Sequence, residues 1–435
     1  DMDEDDFADT YAQTVAYGLL TARISRPAGL TADNLADMVP ITNPFLKELM
    51  ETFLHLGGRR KEFDFDELGI NDVVEALRNA NMEAVLRDFG DRNPAEDPVI
   101  HFYELFLKEY DAEKRIKRGV FYTPRPVVSY IVRSVHELLQ TEFGLEDGLA
   151  DTATWGQMLE RHPDLKLPTI KVKKPNSPDM VDQPIDPYTP FVQILDPACG
   201  TGTFLVEVID VVYKTMKDKW LAQGHTELFD IPKLWNEYVT EHLLPRLYGY
   251  ELLMAPYAIA HMKIGLRLFE TGYRFASDER ARVYLTNSLE PAQDFSDRLT
   301  FDAPALAHEA QAVNHVKSTQ RFTVVIGNPP YAGLSANRSR DEAGNLTLIG
   351  KLIEDYRQVD GSPLGERNPK MLQDDYVKFI RIAQRFITDS AVGLLGFITN
   401  HAYLDNPTFR GMRRALMSTF GTLHLHNLHG NSRRQ

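Results

Sequence analysis

Val324-Val325-Ile326-Gly327-Asn328-Pro329-Pro330-Tyr331 is a short, β-branched apolar run that stops abruptly at a polar residue, two prolines and an aromatic ring. The run reads as a buried strand. The prolines, which lack an N–H and fix φ, end it and stiffen the turn that follows. At the carboxyl end of a strand in an open α/β sheet, such a turn is where ligands bind. The Asn328 amide and the backbone carbonyls beside it are then held as acceptors next to the flat Tyr331 ring, which suits a planar ligand with an exocyclic amino group. Taken alone, the same eight residues also read as a proline-rich turn capping a core strand.

On both sides of this stretch, strand and helix patterns alternate. Residues 191–195 read as a strand, followed by Asp196-Pro197-Ala198-Cys199-Gly200-Thr201-Gly202-Thr203-Phe204 and a helix over 206–213. A strand at 246–250 ends at Glu251 and leads into a helix over 256–268, and a short strand at 283–285 ends at Asn287. Beyond the opening strand come a helix over 375–386, a strand at 392–398 and a helix over 409–420. Strands separated by helices imply a parallel sheet with helices on both faces, an α/β fold. Upstream, residues 1–115 read as a mainly helical domain, with Phe7, Tyr11 and Val15 on one face, then Val73, Val74 and Leu77, then Phe102, Leu105 and Phe106. Thr123 before Pro124 marks the start of an amphipathic helix over 127–139. Residues 141–190, rich in Pro, Asp and Lys, read as an irregular insertion, and further insertions are expected at 214–245, holding an extra helix or two, and at 332–374.

A chain of 435 residues suits two or three domains, and its 43% hydrophobic and 25% charged content are ordinary for a globular protein. No apolar run approaches the ~20 residues that span a bilayer. The single cysteine, Cys199, allows no internal disulfide, and no Cys/His group has zinc-site spacing, so no metal is expected. A net charge of −14 argues against a surface that grips nucleic acid all round, but not against a local basic groove. Arg410, Arg413, Arg414, Arg433 and Arg434 face no acidic residue after Asp405, which reads either as a phosphate-meeting helix or as a solvated face.

In the turn at 196–204, Gly200 and Gly202 let the backbone approach a ligand, and the following helix N-terminus favours an anionic group. The third glycine of the dinucleotide fingerprint is missing, and no Walker lysine follows; the nearest such stretch, 344–351, has the wrong spacing. Glu251, at a strand end, suits a pair of ribose hydroxyls, and Asn287 suits an adenine edge; a surface glutamate and a turn asparagine are the plainer readings.

Asp-Pro-Ala-Cys-Gly-Thr-Gly-Thr-Phe-Leu followed by Gly-Asn-Pro-Pro-Tyr resembles the S-adenosylmethionine-dependent N6-adenine DNA methyltransferases. The upstream 119–124 segment resembles the N-terminal cofactor motif of their gamma class. The resemblance implies a Rossmann-like methyltransferase domain over 116–430. By its terms Thr123 and the Gly200/Gly202 turn, with Ala198 and Phe204, would hold the methionine part of S-adenosyl-L-methionine, with Asp196 near its amino group. Glu251 would take the ribose hydroxyls and Asn287 the adenine edge, where many of the class have Asp. Asn328 and Pro329, stiffened by Pro330, would accept from the target amino group; Tyr331 would stack on the flipped base and Phe409 on its other face. A core phenylalanine is the alternative for Phe409.

What flanks this core, the helix at 5–20, the long 332–374 insertion and the terminal Leu-His-Gly-Asn-Ser at 428–432, resembles the coupler and methylase part of type ISP (single-polypeptide, type I-like) restriction-modification enzymes. That implies double-stranded DNA as partner, a prokaryotic cytoplasm, and further domains of the same polypeptide for target recognition, with helicase and nuclease among them. The recognition domain is expected to follow residue 435. Two rivals from other classes stand beside this reading: a methyltransferase for RNA bases or protein glutamine, and a non-catalytic DNA-binding subunit that kept the fold.

Overall fold

Short apolar runs of three to five residues, too short for helices, pair into one parallel sheet because the segments between them are long enough to cross over as helices. The structure, a computed structural model, describes residues 12, 19, 45, 47, 48, 70–80, 123–174, 177, 179–275, 279–292, 304–331, 335–365 and 370–428. Along the chain run α1 (Arg125–Phe143), β1 (Ile194–Asp196), α2 (Thr203–Ala222), β2 (Leu247–Glu251), α3 (Met254–Glu270), β3 (Arg282–Leu285), α4 (Pro304–Thr319), β4 (Val324–Gly327), α5 (Asp375–Asp389), β5 (Leu394–Phe397) and α6 (Arg410–Thr419).

The strand order is β3-β2-β1-β4-β5, with Leu195 opposite both Tyr248 of β2 and Val325 of β4. The chain builds outward from β1 in one direction, then returns to place β4 and β5 on its other side. The order therefore reverses between β1 and β4, and the crevice outside their carboxyl ends is the expected ligand site of such a sheet.

Alternation along each strand supplies two packing faces. Ile194, Val283, Val324 and Ile326 pack toward α1, α2 and α3, whereas Leu195, Tyr248, Tyr250, Tyr284 and Val325 pack toward α4 and α5. α1 is fixed by Val128, Val132, Val135 and Leu139, which fall on one helical face and are buried. Burial of that kind stabilises by about 1.5–3 kcal/mol per side chain. A third apolar cluster lies beside the site, where Tyr376 and Ile380 of α5 meet Phe409, Met412 of α6 and Ile349 of a short helix, Leu348–Ile353.

All five expected strands form, with ends that differ by no more than three residues from those expected. α4 was not expected, although Pro304 at its start and Val313 and Val316, three residues apart on one buried face, carry a helical signal. The reading of 141–190 as irregular is corrected. It holds a helix, Trp155–Arg161, started by a capping box between Thr154 and Gln157, and an antiparallel ribbon of Thr169–Lys173 with Met180–Pro184. Arg321 ties the ribbon to the sheet by donating to the Thr169 carbonyl at 2.6 and 2.9 Å. The 214–245 segment holds the helix Asp230–Tyr238. Of the expected N-terminal helices, Ile70–Asn79 is described; those at 7–20, Ala12 and Leu19 apart, and at 99–110 lie outside the described residues.

Candidate active site

β1 ends in Asp196, and the turn that follows is tied to both neighbouring strand ends. The Cys199 N–H donates to the Tyr250 carbonyl at 3.0 Å, and the Ser288 hydroxyl donates to the Pro197 carbonyl. Gly202, at φ +79°, caps the N-terminus of α2, where an added Cβ would meet Ala260 of α3 at 3.2 Å. Gly200, at φ +54°, faces open space instead. The first glycine therefore keeps the turn open to a ligand, and the second lets the two helices close up.

Glu251, buried at the end of β2, gathers three backbone donors: Gly200 N–H at 2.9 Å, and Leu252 and Leu253 N–H each at 2.8 Å. The carboxylate thus holds the glycine turn against the start of α3 as well as lying at the strand end where the sequence put it. Asp196 is 1% exposed, and its carboxylate accepts from the Ala198 N–H at 3.1 Å. Burial pushes its pKa up to about 8; that N–H opposes the shift, and the Glu251 charge adds to it. A buried carboxyl beside an open glycine turn fits a ligand bearing an ammonium or sulfonium group, whose charge would favour the ionised form.

Across the crevice, Asn328 follows β4. Its Nδ2 donates to Thr123 Oγ1 at 2.9 Å, and its Oδ1 accepts from the Tyr331 hydroxyl at 2.8 Å. Thr123, Asn328 and Tyr331 therefore form one chain of hydrogen bonds, and Thr123, to which the resemblance gives a cofactor role, is bonded here to the Asn-Pro-Pro-Tyr turn. Burial holds the Tyr331 hydroxyl well above its usual range, so it stays protonated and donates. Its ring centroid lies 6.1 Å from that of Tyr376, which in turn lies 6.5 Å from Tyr403 and 6.4 Å from Phe409.

Two side chains differ from the roles the resemblance implies. Phe409 is 0% exposed in the third cluster behind Tyr376, so the alternative, a core phenylalanine, describes it in this structure. Phe204 likewise buries its ring in the core, so that only its place in the first turn of α2 borders the site. Ala198, half-buried, packs at the edge of the third cluster. Asn287 is heavily engaged: Oδ1 accepts from Leu289 N–H at 3.0 Å, and Nδ2 is shared between Glu290 at 3.0 Å and Asn337 at 2.9 Å.

That last bond leads to a group the sequence did not reveal. Asn337 and Ser335, just past the Asn-Pro-Pro-Tyr turn, are held by Asp375 and by Lys378, whose Nζ donates to Ser335 Oγ at 2.9 Å and to the Asn337 carbonyl at 2.5 Å. Lys378 is 1% exposed, and burial lowers its pKa. Its signal was the irregular placing of a lysine on the buried face of α5, legible only once that face was known.

The arginines of α6 are engaged within the chain. Arg410 donates to the Leu364 carbonyl, Arg413 to the Tyr403 and Asn406 carbonyls at 2.7 and 2.9 Å, and Arg414 to Asp360 at 2.9 Å. Among the described residues no cluster has metal-site geometry, and no helix is long and apolar enough to cross a membrane.

By fold, the chain is similar to three solved structures. One is a nuclease-deletion mutant of the type ISP restriction-modification enzyme LlaGI with a DNA substrate mimic, at 20% identity and TM-score 0.61, covering 97% of this chain and 27% of that one. The ATP-dependent type ISP restriction-modification enzyme LlaBIII bound to DNA gives 20% identity and TM-score 0.58, covering 93% and 22%. The DrdV–DNA complex gives 20% identity and TM-score 0.57, covering 97% and 33%. The chain thus spans between 22% and 33% of the length of these neighbours, which share its fold. Curated proteins give no match. Residues 246–433, which hold β2 to β5 and the Asn-Pro-Pro-Tyr turn, match the family described as Eco57I restriction-modification methylase.

Proposed function

We propose that the chain is the methyltransferase part of a prokaryotic, cytoplasmic restriction-modification polypeptide. It transfers a methyl group from S-adenosylmethionine to the N6 amino group of an adenine flipped out of duplex DNA. The observation that carries this reading is the pairing of the two turns. A glycine turn with the buried Asp196 carboxyl and an Asn-Pro-Pro-Tyr turn follow adjacent strands where the sheet order reverses.

When bound, S-adenosylmethionine supplies a methyl group made electrophilic by its sulfonium. Asp196 would meet its amino group and the turn at Gly200 and Gly202 its methionine part, with Glu251 for the ribose hydroxyls and Asn287 for the adenine edge. An exocyclic adenine nitrogen is a poor nucleophile because its lone pair is delocalised into the ring. Asn328 Oδ1 and the Pro329 carbonyl, as two acceptors on its hydrogens, would localise that lone pair and aim it at the methyl. The gain comes from positioning and fixed dipoles, and no nucleophilic side chain is required. Burial pushes the Cys199 thiol well up, which suits a structural role in the turn. Flipping the base costs a few kcal/mol, which stacking on Tyr331 offsets. Recognition of the DNA sequence, and any helicase or nuclease activity, belongs in this reading to other domains of the polypeptide.

The test is to incubate the full-length polypeptide with methyl-labelled S-adenosylmethionine and duplex DNA, digest the DNA and separate the nucleosides. Label in N6-methyldeoxyadenosine is the expected result. Label in methylcytosine, in RNA or in protein glutamine, or none at all, overturns the reading.

A further inference from the structure

We propose that Thr123 is a positioning residue for the transfer step, one that holds the Asn328 carboxamide in place with Oδ1 toward the target base. This rests on the N6-adenine reading above. A carboxamide is nearly symmetric in shape, yet its two ends are opposite in chemistry: Oδ1 accepts and Nδ2 donates. An amino group brought to the flipped face would meet donors instead of an acceptor. In this structure Nδ2 is spent on Thr123 Oγ1 at 2.9 Å, which leaves Oδ1 as the end that receives a donor, the Tyr331 hydroxyl at 2.8 Å. The incoming amino group takes the place of that hydroxyl. Donation from Nδ2 also polarises the amide and strengthens Oδ1 as an acceptor.

Thr123 can hold this position because it directly precedes the cap of a helix that is buried along one face. Pro124 caps α1, and its carbonyl accepts from Val127 and Val128 N–H at 2.9 and 3.2 Å. Val128 and Val132 anchor α1 in the core beneath the sheet, so the residue two positions before that helix starts from a fixed point.

The test uses the full-length polypeptide, with Asn328→Ala as the inactive reference. Thr123→Val keeps the shape and removes the hydroxyl. Its kcat at saturating DNA and cofactor should fall roughly 10- to 100-fold, the equivalent of one lost hydrogen bond in the transition state. Its equilibrium Kd for S-adenosylmethionine, by calorimetric titration, should stay within about twofold, because the bond acts on the amide and not on the cofactor. Thr123→Ser should recover most of the rate. Should Thr123→Val melt at a lower temperature, Thr123→Ala provides the same comparison.

Wild-type kcat in Thr123→Val overturns the proposal, as does a preserved kcat with weakened cofactor binding, which would make Thr123 a cofactor residue. Equal losses in the Ser and Val variants would also overturn it. Failure of the N6-adenine reading appears separately, in the wild type, as label found elsewhere than on adenine.

Discussion

Gly327 and Asp196 leave no room for a side chain between the tips of β4 and β1: a Cβ on Gly327 would stand 2.6 Å from Asp196 Oδ1. The glycine that precedes Asn328 is thus the residue that lets the two halves of the site close on each other. Gly327→Ala must push the carboxylate or the strand tip aside. It should cost about 1–3 kcal/mol of stability, the usual penalty for overpacking. Urea melts measure this, and a variant as stable as wild type would show that the strand tips separate freely.

Asp196 links stability to pH. An ordinary carboxyl titrates near 4, whereas this one is pushed up to about 8. Between those values the folded state holds a proton that the unfolded chain has released. Stability therefore falls as pH rises through that window and levels off above it. Asp196→Asn cannot ionise, so its stability relative to wild type should grow by up to about 1.4 kcal/mol per pH unit. Melts at pH 5, 6, 7 and 8 decide this; a constant gap would mean an ordinary carboxylate. If a cationic ligand is bound there, wild-type affinity for it should also rise with pH up to about 8.

Glu251 accepts three backbone N–H groups that join the Gly200 turn to the head of α3. Glu251→Ala should therefore lower stability by roughly 1–3 kcal/mol and weaken S-adenosylmethionine binding by a similar amount. Melting and cofactor titration test the two parts separately. Loss of stability with an unchanged Kd would leave Glu251 a structural residue only.

Phe409 is a core residue by its packing against Tyr376. Phe409→Ala should destabilise by about 3–5 kcal/mol through the cavity it leaves, and Phe409→Leu by much less. A stable Phe409→Ala that loses only methyl transfer would restore the stacking role, and with it a rearrangement that brings the ring out.

The two turns, the strands they follow and the parallel α/β class were legible in the primary structure because each rests on local chemistry. β-branched runs form strands, prolines end them, and glycines open a turn, whatever lies elsewhere in the chain. The 169–184 ribbon was missed for lack of a strong local pattern, and it is held by Arg321 far along the chain; α4 had only the faint signal of Pro304 and the Val313/Val316 pair, and packs on β3.

What only the tertiary structure decided is which side chains meet. Thr123 and Asn328 are 205 positions apart and share a hydrogen bond. Asn287 reaches Asn337, whose carbonyl accepts from the buried Lys378. Phe409 turns into the core, and the α6 arginines fold back on carbonyls and Asp360. Residue type limits what each group is able to do, but burial and hydrogen-bond partners across the sheet fix what it does, and those depend on strand order. The sequence alone determined the strand-ending turns; the reversal of order between β1 and β4 brought them to the two sides of one crevice.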